Sequence, residues 1–457
     1  MRNLRKNLIE DSTNKLIQVG QLEGKHEQSN RIYSEDGICP TIMAGERKSC
    51  TGGYVSPKIM INILDNKGID NMWNNNLEKL NFEMKEIRIF DIFAGIGALH
   101  QSLKELGVPI RVTNLSEIDV DATISYAAVH IDNFKNLEFE YPSVEEMRKW
   151  LIDRNIGYSF EKNKSSVPRM KVEKLKLVYK ANVLLNNLGD ISKINYDEIE
   201  DFDLMNMSFP CTDLSNAGQQ RGMKNEDGTP TRSGLYVYSI KAVRAKKPKY
   251  VMIENVKALI QKKFIEDFYS VINELEECGY NCYYPTKEDK KGIKPICLNS
   301  KDFGIPQNRE RIFVIAIRKD VDTKTFEFPI GKDYGIRLKD VLEDQVDEKY
   351  YLSPEIQNKI SCEQRSDEGL RFFKDNICGT LRTIDACGDK RVIEKNYRIR
   401  KLTPLEAWRL MGFRDEAFYK AQELGVSDSQ LYKQAGNSIV VNCLYYIFKN
   451  LFKDYII

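Results

Sequence analysis

EIRIFDIFAGIGALHQSLKEL, residues 86–106, decides the fold. EIRIFDIF (86–93) reads as a buried strand, AGIG as a turn, and residues 98–106 as a helix. Working outward, IRVTNLSEI (110–118) is strand-like and residues 122–130 are helical. Such alternation marks a parallel sheet covered by helices. Charged, helix-prone sequence at 135–187 interrupts it as an insertion or an elaborated crossover. The pattern then resumes: strands at 202–209, 250–253 and 311–317, with helices at 235–245 and 264–278 between them. After Arg318 the chain turns irregular, with short β-like pieces, until a helix at 403–411. It closes on a strongly apolar helix at 438–452. A chain that leaves an α/β core, wanders and closes on one apolar helix predicts an inserted second domain, with the last helix packing back on the first.

The 457 residues are 42% hydrophobic and 30% charged, enough for a sizeable core and too apolar for wholesale disorder. Lys and Arg number 69 against 67 Asp and Glu, so any polyanion must meet a local patch. The longest apolar runs, residues 312–317 and 443–448, fall far short of the ~20 residues of a membrane helix. The basic start MRNLRKNLIEDS lacks the apolar block of a signal peptide. Ten Cys without repeated spacing read as reduced thiols in the cytosol. Cys278 and Cys282 have no second pair nearby, which argues against structural zinc. With only His26, His100 and His130 present, histidine catalysis is short of candidates. Residues 1–84 are polar and weakly periodic, with β-like runs such as 58–64. A short echo joins residues 31–42 to 371–381, for which chance is a fair explanation.

Five stretches carry chemistry. In FDIFAGIGALH (90–100), Gly95 and Gly97 let backbone approach a ligand at a helix N-terminus, and Glu117 ends the next strand where a carboxylate can bind a ribose hydroxyl. Two ordinary turns with one surface carboxylate would look the same. In MSFPCTDLSNAGQQRGM (207–223), Cys211 follows a strand and opens a polar, glycine-punctuated loop able to swing as a lid. A free thiol there needs local positive charge or a dipole to raise its thiolate fraction. A buried structural Cys is the plainer alternative, against which stand Arg221, Lys224 and Arg232 in the loop. YVMIENV (250–256) puts Glu254 on the same rim, unless it caps the next helix. FGIPQNRERIFVIAIR (303–318) puts Arg309 and Arg311 one residue apart on a strand, pointing the same way, or else on a solvated edge. KQAGNSIVVN (433–442) has Gly436-Asn437 before the last helix. The basic run from Lys241 through Arg244 to Lys249 reads first as a solvated helix face.

In this order, these stretches resemble the DNA (cytosine-5)-methyltransferases of bacterial restriction–modification systems and phages. The likeness adds RKLTPLEAWRLMGF (400–413) and spans roughly 86–134, 188–318 and 397–452. It implies an α/β fold: a Rossmann-like S-adenosylmethionine-dependent methyltransferase sheet with helices on both faces, plus a smaller irregular, β-rich target-recognition domain. The expected divisions are an extension at 1–84, a catalytic domain at 85–320, target recognition and hinge at 321–429, and a returning helix at 430–457. The resemblance implies that Cys211 adds to carbon 6 of a cytosine, with Glu254 on ring nitrogen 3 and Arg311, beside Arg309, on the exocyclic oxygen. It assigns the S-adenosylmethionine contacts to Phe93, Ala94, Gly95, Gly97, Glu117, Ile118, Asp190, Ile191, Pro210, Asn437 and Ser438, the last two from the start of the final helix, with no metal. A base inside a duplex must be flipped out to reach a thiol, and Ser215, Arg221, Lys224 and Arg232 are expected on the DNA. Double-stranded DNA is the expected partner of a cytoplasmic monomer, in a bacterium or a phage-infected host, with a restriction endonuclease acting on the same site without contact. An RNA cytosine methyltransferase and a DNA-binding regulator with dead chemistry are the alternatives; the second is disfavoured because Cys211, Glu254 and Arg311 are all present. Thr212 stands where many members have Gln, the 135–187 stretch lengthens the chain before Cys211, and the variable region before Arg398 is short. The N-terminal segment is expected to pack beside that region and enlarge the DNA-facing surface.

Overall fold

The structure is a computed structural model that describes residues 86–453, except 161, 212, 215–221, 224–230, 232, 291, 358–376, 382–390 and 394–397, together with an antiparallel pair, Gln18–Gln21 with Arg31–Tyr33. The chain divides at Glu83, and residues 84–457 form one unit. The β-like run at 58–64 and most of both halves of the sequence echo lie outside the described residues.

Seven strands make the central sheet: β1 (Ile87–Ile92), β2 (Ile110–Ser116), β3 (Leu204–Met207), β4 (Tyr250–Val256), β5 (Tyr280–Tyr283), β6 (Leu298–Asn299) and β7 (Glu310–Arg318). Their order is β2-β1-β3-β4-β7, with β6 on the start and β5 on the end of the far edge of β7. The first four run parallel, while β7 is antiparallel to β4. Parallel strands need helical crossovers, so the sheet is buried on both faces and its strands read as continuous apolar runs. Alternate residues divide between the two faces. Ile87, Ile89, Leu204, Met252, Phe313 and Ile315 pack on one side; Phe90, Ile92, Met205, Met207, Val251, Ile253 and Val314 pack on the other. Each such side chain contributes about 1.5–3 kcal/mol on burial.

On the first face lie α1 (Ala98–Glu105) and the final helix, here α10 (Val441–Leu451), beyond which Phe452 meets Tyr250 edge-on at 5.3 Å. On the second lie α5 (Tyr236–Lys246) and α6 (Ile265–Glu277). After β2 come α2 (Val120–His130), α3 (Val144–Asp153) and α4 (Val172–Leu184). The last two form the 135–187 crossover between β2 and β3, with Met147, Leu151, Leu175 and Val178 buried in the main core. Three short helices precede α10: α7 (Pro404–Arg409), α8 (Asp415–Glu423) and α9 (Asp428–Asn437). Helix α7 opens on a capping box between Thr403 and Glu406, and Glu406 also receives two bonds from the buried Arg400.

One expectation about the helices needs correction. The expected final helix at 438–452 starts three residues later, and Gly436-Asn437 close α9 rather than lead into α10. In the run from Lys241 to Lys249, Lys241, Arg244 and Lys247 are exposed, while Lys246 pairs with Asp201 and Lys249 with Asp203.

Behind the β1 turn sits a buried titratable group. Asp91 accepts from Asn206 Nδ2 at 2.7 Å and from the Tyr126 hydroxyl at 3.4 Å. Tyr126 also meets His100 Nδ1 at 3.2 Å, and His100 stacks on His130 with ring centres 4.1 Å apart. Burial raises the Asp91 carboxyl to about 7 and lowers His100 to about 4. The two act in opposite directions. The folded chain keeps the Asp91 proton longer than the unfolded chain, so that contribution is lost as pH rises through 7. His100 stays neutral where the unfolded chain takes up a proton, so its contribution is lost as pH falls from ~6.5 towards 4. Thermal melts at pH 7.5 and 5.5 should therefore show His100→Gln losing less stability on acidification than the wild type, by about 1 kcal/mol; equal losses would contradict it.

Candidate active site

The carboxyl ends of the parallel strands open into a cavity of about 1390 Å³, larger than the usual site for one small molecule and roomy enough for a cofactor beside a nucleotide. At one end, β1 gives way to a turn in which Phe93, Gly95 and Gly97 all have positive φ, at 55°, 56° and 81°. Gly97 is doubly constrained, because a Cβ there would lie 2.4 Å from His130 Nε2. At Gly95 a Cβ would meet nothing within 4 Å, so the backbone lies open to the cavity. The Glu117 carboxylate turns inward and accepts from Gly95 N at 3.0 Å and from Ile118 N and Asp119 N at 2.8 Å each. Burial, then the neighbouring Asp119, raise its pKa, and the three backbone donors oppose them. Asp119 caps α2 and pairs with Lys433 at 2.5 Å.

Asp190 is buried with both oxygens engaged: Oδ1 by Ser192, and Oδ2 by Asn155 Nδ2 at 2.7 Å. Asn155 belongs to the 135–187 crossover, and so does Arg154, whose carbonyl packs so close to Gly189 that a Cβ there would approach to 2.1 Å. Gly157, Tyr158, Phe160 and Lys174 line the same cavity. The stretch that breaks the sequence pattern thus builds one wall of the site. Nothing in its charged, helix-prone composition signals this; the only local hint is Asn155-Ile156-Gly157, a turn between its two helices.

At the other end, Cys211 follows β3 after three residues. Its approach is pinned to β4, since Glu254 N donates to Ser208 Oγ at 3.1 Å and Asn255 Nδ2 to Phe209 O at 3.2 Å. The loop beyond is tied at its base: Asp213 N donates to Ser233 Oγ at 3.0 Å, and Thr231 Oγ1 to Gly222 O at 2.7 Å. Ser215, Arg221, Lys224, Arg232 and Thr212 lie outside the described residues. Register sets Phe313 opposite Glu254 and Arg311 opposite Val256. The Arg311 Nε–Glu254 Oε1 separation is 3.0 Å, yet Oε1 has no well-angled donor and is fully buried. Burial raises the Glu254 pKa, against the pull of Arg311 and Arg309.

Arg309 and Arg311 do not share a strand, because β7 begins at Glu310. Nor is the run a solvated edge: Arg309 is only 3% exposed, and burial, then the Arg311 charge, lower its pKa to about 9. Asn437, the last residue of α9, and Ser438, just beyond it, line the cavity from a helix end, not from a helix start. Ala94, Ile118, Ile191 and Pro210 also face the cavity. Gln434, which sequence reasoning missed, lines it too; its Oε1 accepts from Ser125 at 3.0 Å, leaving a buried Nε2 without a partner.

Charge divides the cavity. The turn end gathers Glu117, Asp119, Asp121 and Asp190, with Lys433 paired to Asp119 and Lys174 to Asp121, while the Cys211 end gathers Arg309 and Arg311 around Glu254, beside the Lys257–Glu310 pair. S-adenosylmethionine, cationic at sulfur and rich in hydroxyl and amino donors, matches the chemistry of the carboxylates at that end. Among the described residues there is no group of His, Cys, Asp and Glu placed to hold a metal, and no helix long and apolar enough to cross a membrane.

An α/β sheet with a glycine turn at one end of its cavity, and a thiol, a carboxylate and two guanidinium groups at the other, is the arrangement expected of a methyltransferase, and comparison with known proteins gives the family. A profile of the C-5 cytosine-specific DNA methylase family matches residues 155–453, and the chain belongs to that family. It is therefore an enzyme of S-adenosylmethionine-dependent DNA methylation. It is 38% identical to the type II methyltransferase M2.ScrFI of Lactococcus lactis subsp. cremoris, over 80% of this chain and 99% of that one. It is 28% identical to the orphan methyltransferase M.SPBetaI of Bacillus phage SPbeta, over 82% and 99%. Among solved structures, the Dnmt2 methyltransferase of S. pombe shares the fold, with a TM-score of 0.54 at 18% identity, covering 81% of this chain and 99% of that one.

The thiol departs from the simple expectation of an activated nucleophile. Burial raises the Cys211 pKa, and this outweighs Arg311 and Arg309, which lower it; Glu254 raises it further. The free protein thus holds a neutral thiol at neutral pH. Peptide-resolved alkylation across pH should give Cys211 a midpoint above the ~8.5 of an ordinary thiol. Glu254→Gln should move it down and Arg311→Gln up; shifts in the reverse sense would refute this charge balance.

Proposed function

We propose that the protein transfers a methyl group to carbon 5 of a cytosine flipped out of double-stranded DNA, through a covalent adduct with Cys211. The observation carrying this is the single cavity joining the Gly95–Glu117–Asp190 end to Cys211, Glu254 and Arg311. Bound S-adenosylmethionine supplies an electrophilic methyl on sulfur, held by Phe93, Gly95, Glu117 and Asp190 with Asn437 and Ser438. Cys211 loses its proton to water, and its sulfur bonds to ring carbon 6. Glu254, whose raised pKa suits a proton donor, protonates ring nitrogen 3, and Arg311 holds the exocyclic oxygen as charge builds there. Carbon 5 thereby becomes the nucleophile. After transfer, water takes the carbon 5 proton, Cys211 leaves as a thiolate and takes back a proton from water, and Glu254 recovers its proton from the ring. The net change is cytosine to 5-methylcytosine with one proton released.

Base extrusion costs a few kcal/mol, met by contacts outside the cavity. We assign these to the loop after Cys211, with Ser215, Arg221, Lys224 and Arg232 on the phosphates, and we assign sequence choice to the 321–429 region. The chain acts in this reading as a monomer, and a restriction endonuclease cutting the same site would be a functional companion rather than a bound one.

Bisulfite sequencing of DNA from cells expressing the protein should reveal new methylated cytosines in one sequence context, and their absence with folded protein present would overturn the proposal. Cys211→Ala should abolish methylation and trapping on a 5-fluorocytosine duplex together. Arg311→Ala should retain the fold and lose about 10²–10³ in rate. Removing Arg221, Lys224 and Arg232 should lower the salt dependence of duplex binding by about 0.9 per lost phosphate contact.

A further inference from the structure

The guanidinium of Arg309 is spent on backbone carbonyls from two distant parts of the chain. Nη1 donates to Leu381 O at 2.9 Å; Nη2 donates to Gly436 O at 3.0 Å and Ser438 O at 2.8 Å. Leu381 comes from the 321–429 region and Gly436 and Ser438 from the end of α9, and all three line the cavity. The remaining donor, Nε, is buried without a partner. Around this fork runs a seam. Residues Gln307–Asn308 pair in parallel with Cys378–Gly379, Gln307 Oε1 accepts from Leu381 N at 2.9 Å, and Thr380 Oγ1 donates to Asn308 O at 2.6 Å. On its other side Gln307 Nε2 donates to Leu410 O at 2.7 Å. Two residues beyond Arg309, the same backbone carries Arg311 to its pairing with Glu254.

One rigid group therefore touches the recognition region and the cofactor wall, beside the catalytic pair. If DNA shifts residues 378–381, the shift reaches Gly436 and Ser438 through two bonds on one planar fork. We propose that Arg309 is a positioning residue that links the recognition region to the cofactor wall, so that duplex DNA and cofactor bind with positive cooperativity carried by its guanidinium. The inference rests on the proposed function. Linkage requires the effect to be reciprocal, each ligand tightening the other by the same factor.

The test uses the full chain, S-adenosylhomocysteine as a probe that cannot transfer a methyl group, and a duplex carrying the site mapped by bisulfite sequencing. Calorimetry gives the Kd for S-adenosylhomocysteine with and without saturating duplex. Wild type should bind it about fivefold or more tighter with duplex, within the usual span of coupling. Arg309→Lys keeps the charge but not the planar fork. Whatever its Kd for S-adenosylhomocysteine alone, the duplex effect on that Kd should fall below about twofold. A residue of merely structural importance would weaken each ligand and leave their coupling intact. Should Arg309→Lys fail to melt cooperatively, Thr380→Val loosens the seam from its exposed side and should halve the coupling or better; unchanged coupling in that variant, or in a folded Arg309→Lys, overturns the proposal. Wild type that binds each ligand without coupling overturns this inference alone, whereas wild type that binds neither overturns the methyltransferase reading with it.

Discussion

The site depends on removing a carboxylate, a guanidinium and a thiol from water together. Glu254 alone in that environment would hold its proton, and the Cys211 thiol would be inert. Arg311 at 3.0 Å offsets part of the cost without a well-angled hydrogen bond to the buried oxygen. A buried ion pair left short of donors is poor as a stabilising device but well suited to receiving a polar ring that completes it. The antiparallel β7 makes this possible. Its start lies beside the end of β4, so a residue entering the sheet and a residue leaving it share one rim.

Much of this was legible in the sequence because the chemistry sits where periodicity changes. The turn at 93–97, the Pro-Cys step after β3, Glu254 near the end of β4 and the Arg run across the start of β7 are all boundaries, and boundaries show in sequence. The α/β alternation was equally open, since parallel strands buried on both faces read as unbroken apolar runs. What stayed hidden depends on packing between distant segments. Asn155 meeting Asp190, Arg154 against Gly189, and Asp213 tied to Ser233 involve ordinary polar residues with no local pattern. The helix end at Asn437 was misjudged for a related reason. Glycine and asparagine fit a helix start or a helix end, and only the unexpected α9 before them decides which.

The 135–187 crossover shows the same limit from the other side. As sequence it looks like an interruption; in the fold it buries Met147, Leu151, Leu175 and Val178 and brings Asn155 to the cofactor end. Its helices contribute to the core, and the turn between them contributes to the site. A segment can lack periodicity and still be indispensable when its role is to wall a cavity.

The parallel pairing of Gln307–Asn308 with Cys378–Gly379 bears on how specificity can be exchanged among such enzymes. Residues 378, 379 and 381 are held to the stretch before β7 through their own main-chain atoms, which tolerate almost any side chain so long as the path is kept, whereas Thr380 contributes its hydroxyl. On the proposed assignment of sequence choice to the 321–429 region, a transplant of foreign sequence would do best to leave these four, with Thr380 unchanged, as a splice point and let the shared backbone carry the graft.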